Sequence, residues 1–133
     1  MTEPTPHWTT ARIGDDHYRT SLILDSHTLI ADEPLRDGGQ DLGPAPEDFL
    51  RMSLASCTAI TLRMYADRKK FDLRQIEVKV HSVNEEGKTV FYRDIQLTGT
   101  LDAAQRDRLL HVANACPVHK ILTHPIEIQT QFV

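Results

Sequence analysis

The spacing of apolar residues changes several times along the chain, and each change marks an element. The segment from Trp8 to Ile13 and the runs HYRTSLIL and HTLIAD read as three short strands, the last two joined by a turn at Asp25 and Ser26. From Pro46 the period lengthens. Leu50, Leu54, Cys57, Ile60 or Thr61, and Met64 fall along one stripe of a helix reaching about Tyr65, while Phe49, Met52, Ala59 and Leu62 cover other sides, which predicts a long helix with little of its middle facing water. Pro46 suits the first helical position, and Glu47 and Asp48 place negative charge in the first turn.

Strict alternation follows in QIEVKVHSV and TVFYRDIQL on either side of the polar NEEGK, predicting a hairpin with Ile76, Val78 and Val80 on one face. Asp102 and Gln105 have the spacing of a capping box, opening a second helix with Leu109, Leu110, Val112 and Ala113 as its apolar side. Pro117 stops that helix just after Cys116 and opens a further short turn. The closing IEIQTQF alternates through Ile126, Ile128, Thr130 and Phe132 as a final strand. Strands, long helix, hairpin, helix and strand make an α+β fold.

With 133 residues and 40% hydrophobic content, the chain is the size of one domain, 1–133, and no repeat or long linker divides it. A net charge of -4, with its 15 basic residues dispersed except around Arg68, Lys69 and Lys70, argues against a nucleic-acid partner. The longest uncharged apolar stretch, Met52 to Leu62, is well short of the roughly 20 residues that span a bilayer, so no membrane partner is expected. The opening MTEPTPHW lacks the pattern of a secretory signal, and a cytoplasmic location follows as the expectation. In that compartment two cysteines rest as thiols, and a disulfide between them would be transient and chemical. The glycine-rich RDGGQDLGPAPED, between the strands and the long helix, is of a kind that carries function.

Cys57 and Cys116 are the candidate chemistry. Either could be core filling, since cysteine packs as a small hydrophobe. Cys116, just before Pro117, stands where a helix start would favour its thiolate. An ordinary thiol is only about a few per cent ionised near neutral pH, so chemistry at Cys57 requires a cation, and an arginine supplying it should itself be held by a carboxylate. Glu47 is a candidate holder, but ten residues of helix separate it from Cys57, about 15 Å. A two-fold partner could bring Arg36 and Glu47 to the thiol. His111, Cys116, His119 and His124 lie close in sequence, yet they lack the spacing of a metal motif, and His119 reads better as a neighbour of Cys116 or a surface residue. No motif picks one of the seven histidines as the partner in a Cys-His hydrolase, and DGGQDLG fits no phosphate-binding loop.

GPAPEDFLRMSLASCTAITLRMYADRK, followed by ACPVHKIL with 59 residues from the first cysteine to the second, resembles the OsmC/Ohr family of thiol-dependent peroxidases, in its OsmC-like, YhfA-type branch, from about Gly38 to the C-terminus. The resemblance implies an intertwined homodimer with sites at the subunit interface. It also implies a reaction on organic hydroperoxides, and hydrogen peroxide as a further substrate, in oxidative stress defence. Cys57 would be oxidised to a sulfenic acid, Cys116 would condense with it to a disulfide, and an external thiol or dithiol would reduce the pair, with no metal, flavin or haem. The family's glutamate falls on Glu47 and its arginine on Arg36, with Arg12 and Arg19 as the options offered by the Ohr branch. Thr58 stands where OsmC and Ohr proteins usually carry an aromatic residue. A non-catalytic redox-sensing or binding protein of the same fold is the alternative, and a hydrolase using Cys57 the third.

Overall fold

The computed structural model describes residues 6–133. Strands β1 (Thr10–Arg12), β2 (Thr20–Leu24) and β3 (His27–Ala31) are followed by a 3-10 turn at Leu35–Asp37. Next come helix α1 (Pro46–Lys69), strands β4 (Asp72–Glu85) and β5 (Lys88–Thr100), and helices α2 (Ala103–Ala113) and α3 (Pro117–Leu122). β1, β2 and β3 form one antiparallel sheet in that order, and β4 and β5 form a second. The α+β class expected from periodicity is the class observed. By its internal packing the chain divides into two compact units, Met1–Leu50 and Arg51–Val133.

In the first unit, β2 and β3 pair from Thr20 with Ala31 to Leu24 with His27, around the turn at Asp25. Beyond β3 the chain folds around one buried carboxylate. Asp32 Oδ1 accepts from the Tyr18 amide at 3.0 Å and the Glu33 amide at 2.7 Å, and Oδ2 accepts from the Gln40 amide at 3.3 Å and the Leu42 amide at 3.1 Å. Burial alone would raise its pKa, but the four backbone donors hold it below the ordinary carboxylate value. The glycine-rich loop is thus tied down by Asp32. Gly39 packs so tightly there that a Cβ would stand 2.0 Å from the Glu33 carbonyl oxygen. Close packing is thus what requires glycine at that position.

In the second unit, β4 and β5 pair from Asp72 with Thr100 to Glu85 with Lys88, through a turn in which Glu86 and Gly87 both have positive φ. That is the two-residue geometry that suits the twist of a hairpin. Val80 pairs with Arg93, Val78 with Ile95 and Ile76 with Leu97, so one face of the hairpin carries these residues together. The core joins Leu62, Tyr65 and Ala66 of α1 to Leu73 of β4 and to Leu109, Val112 and Ala113 of α2. Burying side chains such as Leu62 and Leu109 contributes about 1.5–3 kcal/mol each. The expected capping box is present: Asp102 accepts from the Gln105 amide at 2.8 Å, and the Gln105 side chain accepts from the Asp102 amide at 3.0 Å.

Three expectations are corrected. The buried stripe of α1 is Leu54, Thr58, Leu62, Tyr65 and Ala66, not the one through Cys57, Ile60 and Met64. Ile60 and Met64 are more than half exposed in the single chain, because the hairpin and α2 cover the neighbouring face. Leu110 likewise faces outward, one position away from buried Leu109. The alternating segment 126–132 pairs with no strand among the described residues and leaves Ile126, Ile128 and Phe132 exposed, since neither sheet of the chain receives it.

Candidate functional site

Thr58 lies on the buried stripe of α1, four residues from Leu54 and four from Leu62, which puts a hydroxyl where the core expects a methyl group. A buried hydroxyl needs partners. Its Oγ1 donates to the Leu54 carbonyl at 2.7 Å, one turn back, and accepts from Arg93 Nη1 at 3.1 Å. Oγ1 also lies 3.9 Å from the Cys116 sulfur. A hydroxyl has one proton, so the short contact to Leu54 holds it and Cys116 can receive it by a rotation about the C–O bond.

Cys116 sits between α2 and α3, and its side chain is fully buried. The chain turns there because Pro117 cannot continue α2 but suits the first position of α3. The His119 amide donates to the sulfur at 3.3 Å. Burial pushes the Cys116 thiol up in pKa, but donors from the His119 amide, the Cys57 thiol, the Thr58 hydroxyl and the Val118 amide together hold it below the ordinary thiol value. The two side chains come together: Cys57, half-buried on α1, lies within hydrogen-bonding reach of buried Cys116, and both are free thiols.

Arg93 completes the cluster. β5 alternates inward through Phe91, Arg93, Ile95 and Leu97, so strand parity turns this arginine to the apolar side. Its guanidinium donates to Thr58, to the Ala113 carbonyl at 3.4 Å and to the Asn114 side-chain oxygen at 2.7 Å, and Nη2 lies 3.4 Å from His119 Nδ1. All four partners are neutral groups, because burial and then the Arg93 charge hold His119 below its ordinary pKa, leaving its ring neutral and able to accept. Arg93 and His119 also line a cavity of about 480 Å³, whose other walls include Leu54, Val90, Phe91 and Leu122.

Of the residues expected from sequence, the fold brings Cys57 and Cys116 together. Arg36 lies in the 3-10 turn of the first unit with its side chain 83% exposed, 3.8 Å from Asp37 rather than paired with Glu47. Glu47 is exposed in the first turn of α1, Arg12 is exposed at the end of β1, and Arg19 is exposed just before β2. Among the described residues no set of three or more His, Cys, Asp or Glu side chains is gathered for a metal, so His111, Cys116, His119 and His124 do not form one. Sequence reasoning missed Arg93 and Thr58. The available signal was parity: the alternation in TVFYRDIQL puts a charge on the apolar face of the hairpin, and such a charge needs buried partners.

Solved structures share this fold. A protein of Psychrobacter arcticus 273-4, named for osmotic stress induction and detoxification response, aligns at a TM-score of 0.75 with 24% identity, over 93% of this chain and 92% of its own. An OsmC-like protein from Mycoplasma pneumoniae aligns at 0.73 with 17% identity, over 90% and 89%. An organic hydroperoxide resistance protein from Legionella pneumophila aligns at 0.65 with 18% identity, over 92% of each chain. No curated protein sequence matches. No helix is long and apolar enough to cross a membrane among the described residues. The family described as OsmC-like protein matches residues 38–131, a span that holds both cysteines, Thr58, Arg93 and His119 without distinguishing a branch, and the chain belongs to that family.

Proposed function

We propose that this protein is a thiol-dependent peroxidase that reduces organic hydroperoxides, and hydrogen peroxide less readily, with Cys57 as the attacking sulfur and Cys116 as the resolving one. The observation that carries this reading is the proximity of two free thiols 59 residues apart in sequence, one half-buried and one enclosed. Oxidation of Cys57 forms an S–O bond, breaks the peroxide O–O bond and releases an alcohol. Attack by Cys116 on the sulfenic sulfur then forms the disulfide and expels the oxygen as water, and an external thiol or dithiol restores the pair. The apolar walls of the neighbouring cavity suit an alkyl substituent, and the fold is shared with a protein named for organic hydroperoxide resistance. The setting is cytoplasmic, where the thiols rest reduced.

The assembly proposed is a homodimer. The open face of α1 at Ile60 and Met64 and the unpaired segment from Ile126 to Phe132 support a second copy as their cover. In the dimer, Arg36 oriented by Glu47 approaches Cys57 from the partner subunit as a second cation.

Consumption of cumene hydroperoxide with a dithiol reductant tests the reading. Wild type turns over, Cys57→Ser does not, and Cys116→Ser retains the first oxidation but forms no intramolecular disulfide. Absence of peroxide-dependent oxidation at either thiol overturns it. The full burial of Cys116 favours one second reading, a redox sensor whose disulfide is slow to be reduced. Stoichiometric disulfide formation without turnover identifies that case.

A further inference from the structure

One cavity of the second unit carries positive charge that none of its own walls balances. Leu54 of α1, Val90 and Phe91 of β5 and Leu122 of α3 make it apolar, and its volume is about 480 Å³, within the range of about 300–1,000 Å³ usual for small-molecule sites. Two cations, Arg93 and Lys88, reach the same space, and no acidic side chain is among its lining residues. His119, held neutral by burial and then by the Arg93 charge, adds neither sign. Arg93 is only partly exposed, and a guanidinium drawn out of water is ordinarily matched by a carboxylate. Here both Nη atoms donate to neutral groups, with the contacts to the Ala113 carbonyl and to His119 Nδ1 stretched to 3.4 Å, and Nε donates to no group among the described residues. We propose that this cavity is a binding site for an amphiphilic carboxylate, a medium-chain organic acid whose head group pairs with Arg93 and whose tail lies against Leu54, Phe91 and Leu122.

An anion with an apolar body satisfies both kinds of wall at once, which neither a neutral hydrocarbon nor a bare inorganic anion does. The head group gains the unengaged Nε–H. The Nη2 contact to His119, at 3.4 Å, is the one most readily given up to it, because a bond of that length is weak. The shorter bonds from the guanidinium, 3.1 Å to Thr58 and 2.7 Å to Asn114, hold it in place before the ligand arrives, so little ordering is left to be done on binding. Lys88 is exposed at the start of β5 and adds attraction as a point charge without fixing the geometry. Neither sulfur is among the lining residues, so the acid is a ligand beside the thiol pair and the inference stands independently of the peroxidase reading. Arg93 is the residue the two places share, since it lines the cavity and also donates to Thr58, whose hydroxyl lies 3.9 Å from Cys116.

Isothermal titration calorimetry of the full chain with octanoate, set against octanol as a neutral probe with the same tail, tests the site. Octanoate binds at least about tenfold more tightly than the alcohol, the preference expected of a charge-assisted contact to one guanidinium. Arg93→Met removes that preference, Arg93→Lys keeps most of it, and Leu122→Trp, which fills the apolar half, weakens both ligands. Equal affinities for acid and alcohol in wild type overturn the proposal, and so does binding of neither, the result expected if a second copy of the chain fills the cavity. A tenfold or larger loss of octanoate affinity in Cys57→Ser also overturns it, because the head group would then lie on the thiol pair. If Arg93→Met fails to fold, the Arg93 Nε–H resonance of nitrogen-labelled wild type decides the same point: octanoate shifts it and octanol does not, and a resonance indifferent to octanoate removes the assignment. Peroxide consumption is measured separately. Octanoate binding in a protein without turnover removes the peroxidase reading and keeps the site, whereas turnover without octanoate binding does the reverse.

Discussion

Asp32 in the first unit and Cys116 in the second are both buried groups surrounded by hydrogen-bond donors, and they differ in what those donors can give up. Asp32 is held by four backbone amides, whose protons are fixed and do not titrate. Cys116 has backbone donors too, but also side chains beside it, the Thr58 hydroxyl, which can rotate, and Cys57. The first arrangement stores a charge to hold a loop. The second surrounds a thiol with side chains that can rearrange, beside a cavity lined by Arg93. Donor chemistry, more than burial, separates the loop anchor from the thiol cluster in this molecule.

The widest gap between the two regions is expected from Cys57→Ser, which removes one sulfur of the pair: peroxide turnover falls to background while the thermal midpoint stays within a few degrees of wild type, about the range of a conservative, partly exposed change. Loss of folding in this variant would mean that the thiol pair is structural after all. Next comes Asp32→Asn. Whichever way the amide is placed, its NH2 confronts two backbone amides that need an acceptor, so the midpoint should fall by roughly 10 °C or more in differential scanning calorimetry. Retained stability would break the assignment of Asp32 as the anchor of the loop.

The pH dependence is a smaller effect and its sign is fixed. Asp32 has a folded pKa below the unfolded one, so the unfolded chain takes up the proton first as pH falls. Its contribution is complete above the ordinary carboxylate value near pH 4 and is lost as pH drops through the lower folded value. Thermal midpoints measured from about pH 6 down to about pH 2 should decline with an acid limb that is shallower in Asp32→Asn. An identical limb in both proteins would assign the acid sensitivity elsewhere. The smallest expected effect serves as the control for both regions. Asp102→Ala removes a helix cap that touches neither, costs about 1 kcal/mol in denaturant titration, and leaves the Cys116 titration unmoved.

Local rules made most of the elements legible. The Asp102 and Gln105 box, the alternation of the hairpin and Pro46 at the start of α1 are each settled within a few residues, and the structure has them where the pattern puts them. The buried face of α1 was not legible, because a helix with apolar residues on several sides does not reveal which stripe its neighbours will cover. The stripe that is covered passes through Thr58, a residue that pattern reading discards as polar, and the one through Cys57 stays partly open. Arg36 and Glu47 were singled out by resemblance. In the chain itself Arg36 stands beside Asp37, and the cation that reaches the thiol cluster is Arg93.

By itself, then, the sequence determined the elements up to α3, the family and the two sulfurs, since propensity, capping and motif all act over short stretches of chain. Only the tertiary structure decided that the sulfurs meet, which of them collects the donors, and which arginine stands behind them. Those outcomes depend on the pairing of Val80 with Arg93 and on α2 packing against α1, contacts between residues far apart in the chain that no local pattern encodes.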